Sequence, residues 1–102
     1  MNITKNYNEK ELTLSVEGRI DTITSKELDK AINDEMGNFE SLIMDFSDLE
    51  YISSAGLRIL IVTHKKLKAD NIPFVIKNVN DTVREIFKIS GFDKILVIQW
   101  IP

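Results

Sequence analysis

One histidine and a well-placed serine raise the question of hydrolysis first. The histidine is His64, and the most suggestive serine is Ser54. Both fall in a stretch that reads as one helix, where ten residues of separation amount to about 15 Å. A nucleophile and its base must lie within roughly 3 Å, and no G-x-S-x-G elbow occurs. His64 reads instead as a surface residue or one that compensates the dipole at a helix end. Phosphate-cradling loops are absent too, both the P-loop pattern and G-x-G-x-x-G. The four glycines have structural readings: Gly18 in a loop, Gly37 and Gly91 at helix ends, Gly56 in a first helical turn. A phosphoacceptor receiver would need paired acids where Gly18-Arg19-Ile20-Asp21 offers one. Asp45 and Asp48 could hold a metal by spacing, but a solvated loop is the favoured reading. With no cysteine, thiol chemistry, cysteine-ligated zinc and disulfides are excluded. No catalytic residue, metal or cofactor is assigned, and the expected protein is not an enzyme.

The remaining constellation is Tyr51-Ile52-Ser53-Ser54-Ala55-Gly56-Leu57-Arg58. Two serines open a helix, small residues fill its first turn, and an arginine follows Ser54 by four positions. The bland reading is an N-cap, worth about 1 kcal/mol, with Ala55 and Gly56 permitting close packing. That reading leaves Arg58 unexplained, since a cation in the first turn opposes the helix dipole at about 0.3–1 kcal/mol. Gly56 lowers helix propensity by about 1 kcal/mol relative to alanine. Unfavourable choices beside two hydroxyls suggest a surface made for contact.

The elements that must position these residues follow from periodicity. Leu12, Leu14 and Val16 alternate with polar neighbours as in a half-buried strand. Asn2 to Lys5 is a weaker strand, with Tyr7-Asn8-Glu9-Lys10 as the hairpin turn. A loop from Gly18 to Ile23 leads to a first helix, where Thr24 and Glu27 have capping-box spacing and Leu28, Ala31, Ile32 and Met36 share a face. Ser41 to Phe46 reads as a strand buried on both faces, and Ser47 to Ile52 as a connection. The second helix spans Ala55 to Lys68. Ile72 to Ile76 is a strand, Asn80 or Asp81 caps a third helix that ends at Gly91, and Ile95 to Trp100 is the last strand. The order β-β-α-β-α-β-α-β implies an α/β fold with a largely parallel, mixed sheet.

Composition bounds the function. The chain has 102 residues, 43% of them hydrophobic, about the size of a single domain with one core. Thirteen basic and sixteen acidic side chains give a net charge of −3, which offers no footprint for nucleic acid. No apolar run approaches the roughly 20 residues of a membrane span, and Met1 to Lys10 lacks the apolar stretch of a signal peptide. A cytoplasmic protein that touches neither nucleic acid nor membrane is expected.

At these residues the chain resembles a STAS domain of the bacterial anti-sigma-factor antagonist (anti-anti-sigma factor) family. The resemblance runs from about Leu12 to Val97. It is carried by Gly18-Arg19-Ile20-Asp21, by Asp48-Leu49 with Tyr51-Ile52-Ser53-Ser54-Ala55-Gly56-Leu57, and by Val83-Arg84-Glu85-Ile86-Phe87-Lys88-Ile89-Ser90-Gly91. It implies a single STAS-like domain over 1–102, with helices mainly on one face of a mixed sheet. It also implies a partner that is both anti-sigma factor and serine kinase, and a serine phosphatase that resets the modification. The family motif Asp-Ser-(Ser/Thr)-Gly, phosphorylated on its first Ser, puts Ser53 at the Asp, Ser54 at the phosphorylated position and Ala55 at the second hydroxyl residue. Asp21 matches the family's loop aspartate. The implied partner surface is Asp21, Thr22, Ser53, Ser54, Ala55, Gly56 and Arg58, with phosphorylation at Ser54. The departures at Ser53 and Ala55 keep an alternative open, a STAS interaction module in a larger assembly that is not phosphorylated.

Overall fold

Alternating apolar side chains on three strands build one face of a sheet. In a computed structural model, which describes residues 1–100, Leu12 pairs with Leu42 and Leu42 with Phe74, while Leu14 pairs with Met44 and Met44 with Ile76. These six are buried, whereas the alternate residues Thr13, Ser15, Ile43, Asp45, Val75 and Lys77 remain half-exposed. The strands are β1 (Asn2–Asn8), β2 (Glu11–Ile20), β3 (Ser41–Asp45), β4 (Leu49–Ile52), β5 (Phe74–Val79) and β6 (Ile98–Trp100). Their order is β1-β2-β3-β5-β6, with β4 added beside β2. Only β1 runs antiparallel to its neighbour.

The apolar face is covered by α1 (Thr24–Asp34), α2 (Ser54–Ala69) and α3 (Asp81–Ser90). Leu28 and Ile32 of α1, Leu57, Leu60 and Leu67 of α2, and Val83 and Phe87 of α3 join the strand residues in one core. Lys5 and Tyr7, opposite Leu14 and Leu12 and hence on that face, reach Glu35 just past α1, at 3.3 and 2.8 Å. The helices therefore lie mainly on one side.

The structure departs from the sequence pattern in one respect that matters for the site. The pattern suggests loops at Gly18–Ile23 and Ser47–Ile52; instead β2 runs on to Ile20, and Leu49–Ile52 is a strand beside it. The register shifts between Gly18 and Arg19, and Gly18 sits at φ +99°, where a side chain would be strained. This bulge turns β2 away from β3 and onto β4. The element order is thus β-β-α-β-β-α-β-α-β. The hairpin turn is also tighter than the pattern suggests, only Glu9-Lys10, and β6 starts at Ile98, three residues later than the pattern suggests, after a 3₁₀ turn at Phe92–Lys94.

Candidate functional site

Because β2 and β4 are parallel and in register at Ile20 and Ile52, both chains leave the sheet at the same edge. The Ser53 N–H donates to the Ile20 carbonyl at 2.7 Å, which ties the two exits together. Asp21 follows one strand and Ser53-Ser54 the other, so the topology brings together the two segments that the sequence motifs single out.

Each exit is pinned by a cap. Asp21 Oδ1 accepts from the N–H of Ile23 at 2.9 Å and of Thr24 at 2.8 Å, and the Thr24 hydroxyl accepts from the Asp21 N–H at 2.8 Å. This is a reciprocal capping box three residues earlier than the Thr24/Glu27 spacing suggests. The Ser25 N–H reaches the Asp21 carbonyl at 2.9 Å, so the helical hydrogen-bond pattern starts at Asp21. The Thr24 N–H bond is the main cause that holds the Asp21 carboxyl below its usual range, against the opposing effect of partial desolvation; the Thr24 hydroxyl, Ile23 N–H and Arg19 add to it. The carboxylate is thereby engaged in shaping its own loop. That loop presents Thr22 and Ile23 to solvent, and Ile23 is 76% exposed.

Ser53 is the N-cap of α2, and its Oγ accepts from the Gly56 N–H at 3.3 Å. Serine and aspartate are comparable caps, so a serine where the resembled motif has Asp preserves the helix start. Ser54 is the first helical residue and is exposed; among the described residues no protein group hydrogen-bonds its hydroxyl. Arg58, one turn on, is exposed as well. Ala55 is half-buried.

Gly56 does not belong to the exposed surface. It is buried, and a Cβ there would lie 2.6 Å from Ile20 Cγ2 and 2.7 Å from Ile52 Cγ1. Its role is to let α2 approach the ends of β2 and β4, which corrects the sequence-based assignment to the partner surface. Sequence reasoning also passes over Ile23 and the Arg19–Tyr51 pair. Those two residues are cross-strand neighbours, with the guanidinium 4.6 Å from the ring centroid. An isoleucine between two threonines directly after a loop aspartate was the available signal for Ile23.

The other chemistry-bearing residues stay apart from this edge. His64 is half-buried ten residues along α2 from Ser54. Asp45 accepts from the Ser47 N–H at 3.0 Å and from Asn78 Nδ2 at 3.1 Å. Among the described residues no group of His, Cys, Asp or Glu could hold a metal ion, and no helix is long and apolar enough to cross a membrane.

The STAS-domain family profile matches residues 2–101. The chain belongs to the STAS-domain family. This STAS domain is 33% identical over 82 residues to the anti-sigma-F factor antagonist RsfB of Mycobacterium tuberculosis, 79% of this chain and 66% of RsfB. An anti-sigma factor antagonist from Mycobacterium paratuberculosis superposes with a TM-score of 0.87 at 26% identity, covering 96% of this STAS domain and 84% of that chain. The unphosphorylated form of the anti-sigma factor antagonist SpoIIAA superposes with a TM-score of 0.83 at 17% identity, over 99% and 89% of the two chains. At that identity the likeness concerns the fold.

Proposed function

We propose that this STAS domain is a cytoplasmic anti-sigma-factor antagonist. It binds an anti-sigma factor that is also a serine kinase, frees the sigma factor, and is switched off when the kinase phosphorylates Ser54. The relatives named above support the first part of this reading. The observation that carries the second is the Ser54 hydroxyl, exposed and unpartnered by protein at the first position of α2, at the sheet edge shared with the Asp21 loop.

The switch is electrostatic. Unmodified, Thr22, Ile23, Ser54 and Arg58 offer a small docking surface of mixed polarity. Phosphorylation adds about −1.5 to −2 charges there. The positive end of the α2 dipole stabilises that charge within the domain, and Arg58, four residues on, stands on the same helical face. The phosphate therefore spoils docking without unfolding anything, and a serine phosphatase restores it.

The test is transfer from ATP by the purified cognate anti-sigma kinase, followed by intact mass. The wild-type chain and Ser53→Ala gain one phosphate, and Ser54→Ala gains none. Stoichiometric uptake by Ser54→Ala would overturn the assignment.

A further inference from the structure

The outer face of α2 carries a charge pattern that neither other helix shares. At 100° per residue, Ser54, Arg58, Val62, Lys65, Lys66 and Ala69 fall within an arc of about 120°. All six are exposed, while Leu57, Leu60, Thr63 and Leu67 are buried on the opposite side. Between Ser54 and Ala69 there is no Asp or Glu. In contrast, α1 and α3 mix the two signs: Lys30 pairs with Asp34 at 2.8 Å on α1, and α3 carries Asp81, Glu85 and Lys88. Arg58, Lys65 and Lys66 are exposed and, unlike Lys5 with Glu35 and Lys30 with Asp34, have no carboxylate opposite them among the described residues.

We propose that this stripe is a docking surface for an acidic face of the anti-sigma kinase, which carries the interface from Ser54 along about 22 Å of α2. The proposal rests on the Ser54 reading above and extends it to the partner's chemistry. A merely solvated helix face has no reason to exclude acids over four turns, and the helix dipole does not supply one. It favours Lys66, with Lys68 beside it, in the last turn, but gives no reason for a cation at Arg58, the fifth helical residue near the opposite end. Val62, 42% exposed amid the cations, adds apolar contact that suits a protein face and not a phosphate backbone. Three cations on a chain of net charge −3 are also few for nucleic acid.

The lysines give a clean test because they are remote from the phosphorylation site. Lys65 and Lys66 lie about 16–18 Å along the axis from Ser54, roughly two Debye lengths at physiological salt. Replacing them leaves the phosphoacceptor's surroundings intact and acts on docking alone. The double variant Lys65→Glu/Lys66→Glu of the full chain is compared with wild type and with the neutral Lys65→Gln/Lys66→Gln. The probe is the purified kinase, with association rates measured from 50 to 300 mM salt and steady-state phosphorylation of Ser54 in parallel. At low salt the charge-reversed chain associates about tenfold or more slowly and loses the steep salt dependence; the neutral variant lies between. KM for phosphorylation rises while kcat is unchanged. Rates and salt dependence equal to wild type overturn the stripe while leaving the Ser54 reading in place. Stoichiometric phosphorylation of Ser54→Ala overturns that reading while the lysine effect on association stands or falls separately. Binding of wild type, but not of the variants, to a 20-bp DNA duplex or to phosphatidylglycerol vesicles at physiological salt assigns the stripe to another class of partner and overturns the proposal.

Discussion

Gly56 shows how a residue can look functional in sequence and prove to be architectural. By helix propensity alone, Gly56→Ala should stabilise α2 by about 1 kcal/mol. The added methyl would meet Ile20 and Ile52 at 2.6 and 2.7 Å, both of them buried branched side chains at strand ends. Overpacking of this kind costs about 1–3 kcal/mol, so Gly56→Ala is expected to lower the urea midpoint; a raised midpoint would mean that α2 has room to shift. Arg58 carries the opposite lesson. The sequence pattern puts it in the first turn, where the dipole opposes a cation, but with Ser53 as the N-cap it stands one turn past Ser54, and among the described residues no ion pair engages it. The exposed place of Ser54 at a helix start was legible because two hydroxyls and small residues occur together there. Asp21 was legible as a residue but not in its role, because the Asp-x-x-Thr box competes with a plausible Thr-x-x-Glu box three residues later. Only the hydrogen bonds tell which one forms.

Among the elements, β4 escaped sequence reading and matters most to the site. Leu-Glu-Tyr-Ile is too short to display a period, and it begins only four residues after β3 ends. What makes it a strand is its neighbours: β2 on one side, and α3 tied to it through Asn80. The Asn80 side chain accepts from the Val83 N–H at 3.0 Å as the α3 cap, and it donates to the Leu49 carbonyl at 2.6 Å. Asn80→Ala therefore loses a cap worth about 1 kcal/mol and leaves a partly buried carbonyl short of one partner. A loss of roughly 1–3 kcal/mol in urea denaturation is expected, with amide exchange accelerating first in α3 and β4. Asn80→Asp keeps the cap but not the donor, and should fall between. The longer, periodic elements were legible because their patterns exceed a full turn or several alternations: the Leu12–Val16 core of β2, β3, and all three helices. Element ends were less so. The bulge at Gly18 and the tight Glu9-Lys10 turn depend on strand pairing that no local window contains.

At the scale of the whole molecule, the proposed switch requires a fold that accepts a phosphate without rearranging. The geometry favours this. Ser54 is exposed at the positive end of a 16-residue helix whose inner face is held by Leu57, Leu60 and Leu67. An anion at a helix N-terminus contributes about 0.3–1 kcal/mol, and a pairing with Arg58 on the same face would add to it. For a chain of this size, 1 kcal/mol corresponds to about 4–8 °C in Tm. Stoichiometric phosphorylation should therefore raise Tm by roughly 2–6 °C at low ionic strength, and salt should reduce the gain. Arg58→Ala should shrink the gain and raise the second pKa of the phosphate, read by phosphorus NMR. The same phosphorylated chain should lose affinity for the anti-sigma kinase. Stability and binding then move in opposite directions on one modification, which separates a docking switch from an unfolding one. A fall in Tm on phosphorylation would mean that the charge acts by loosening α2, and the electrostatic account of the switch would have to be abandoned.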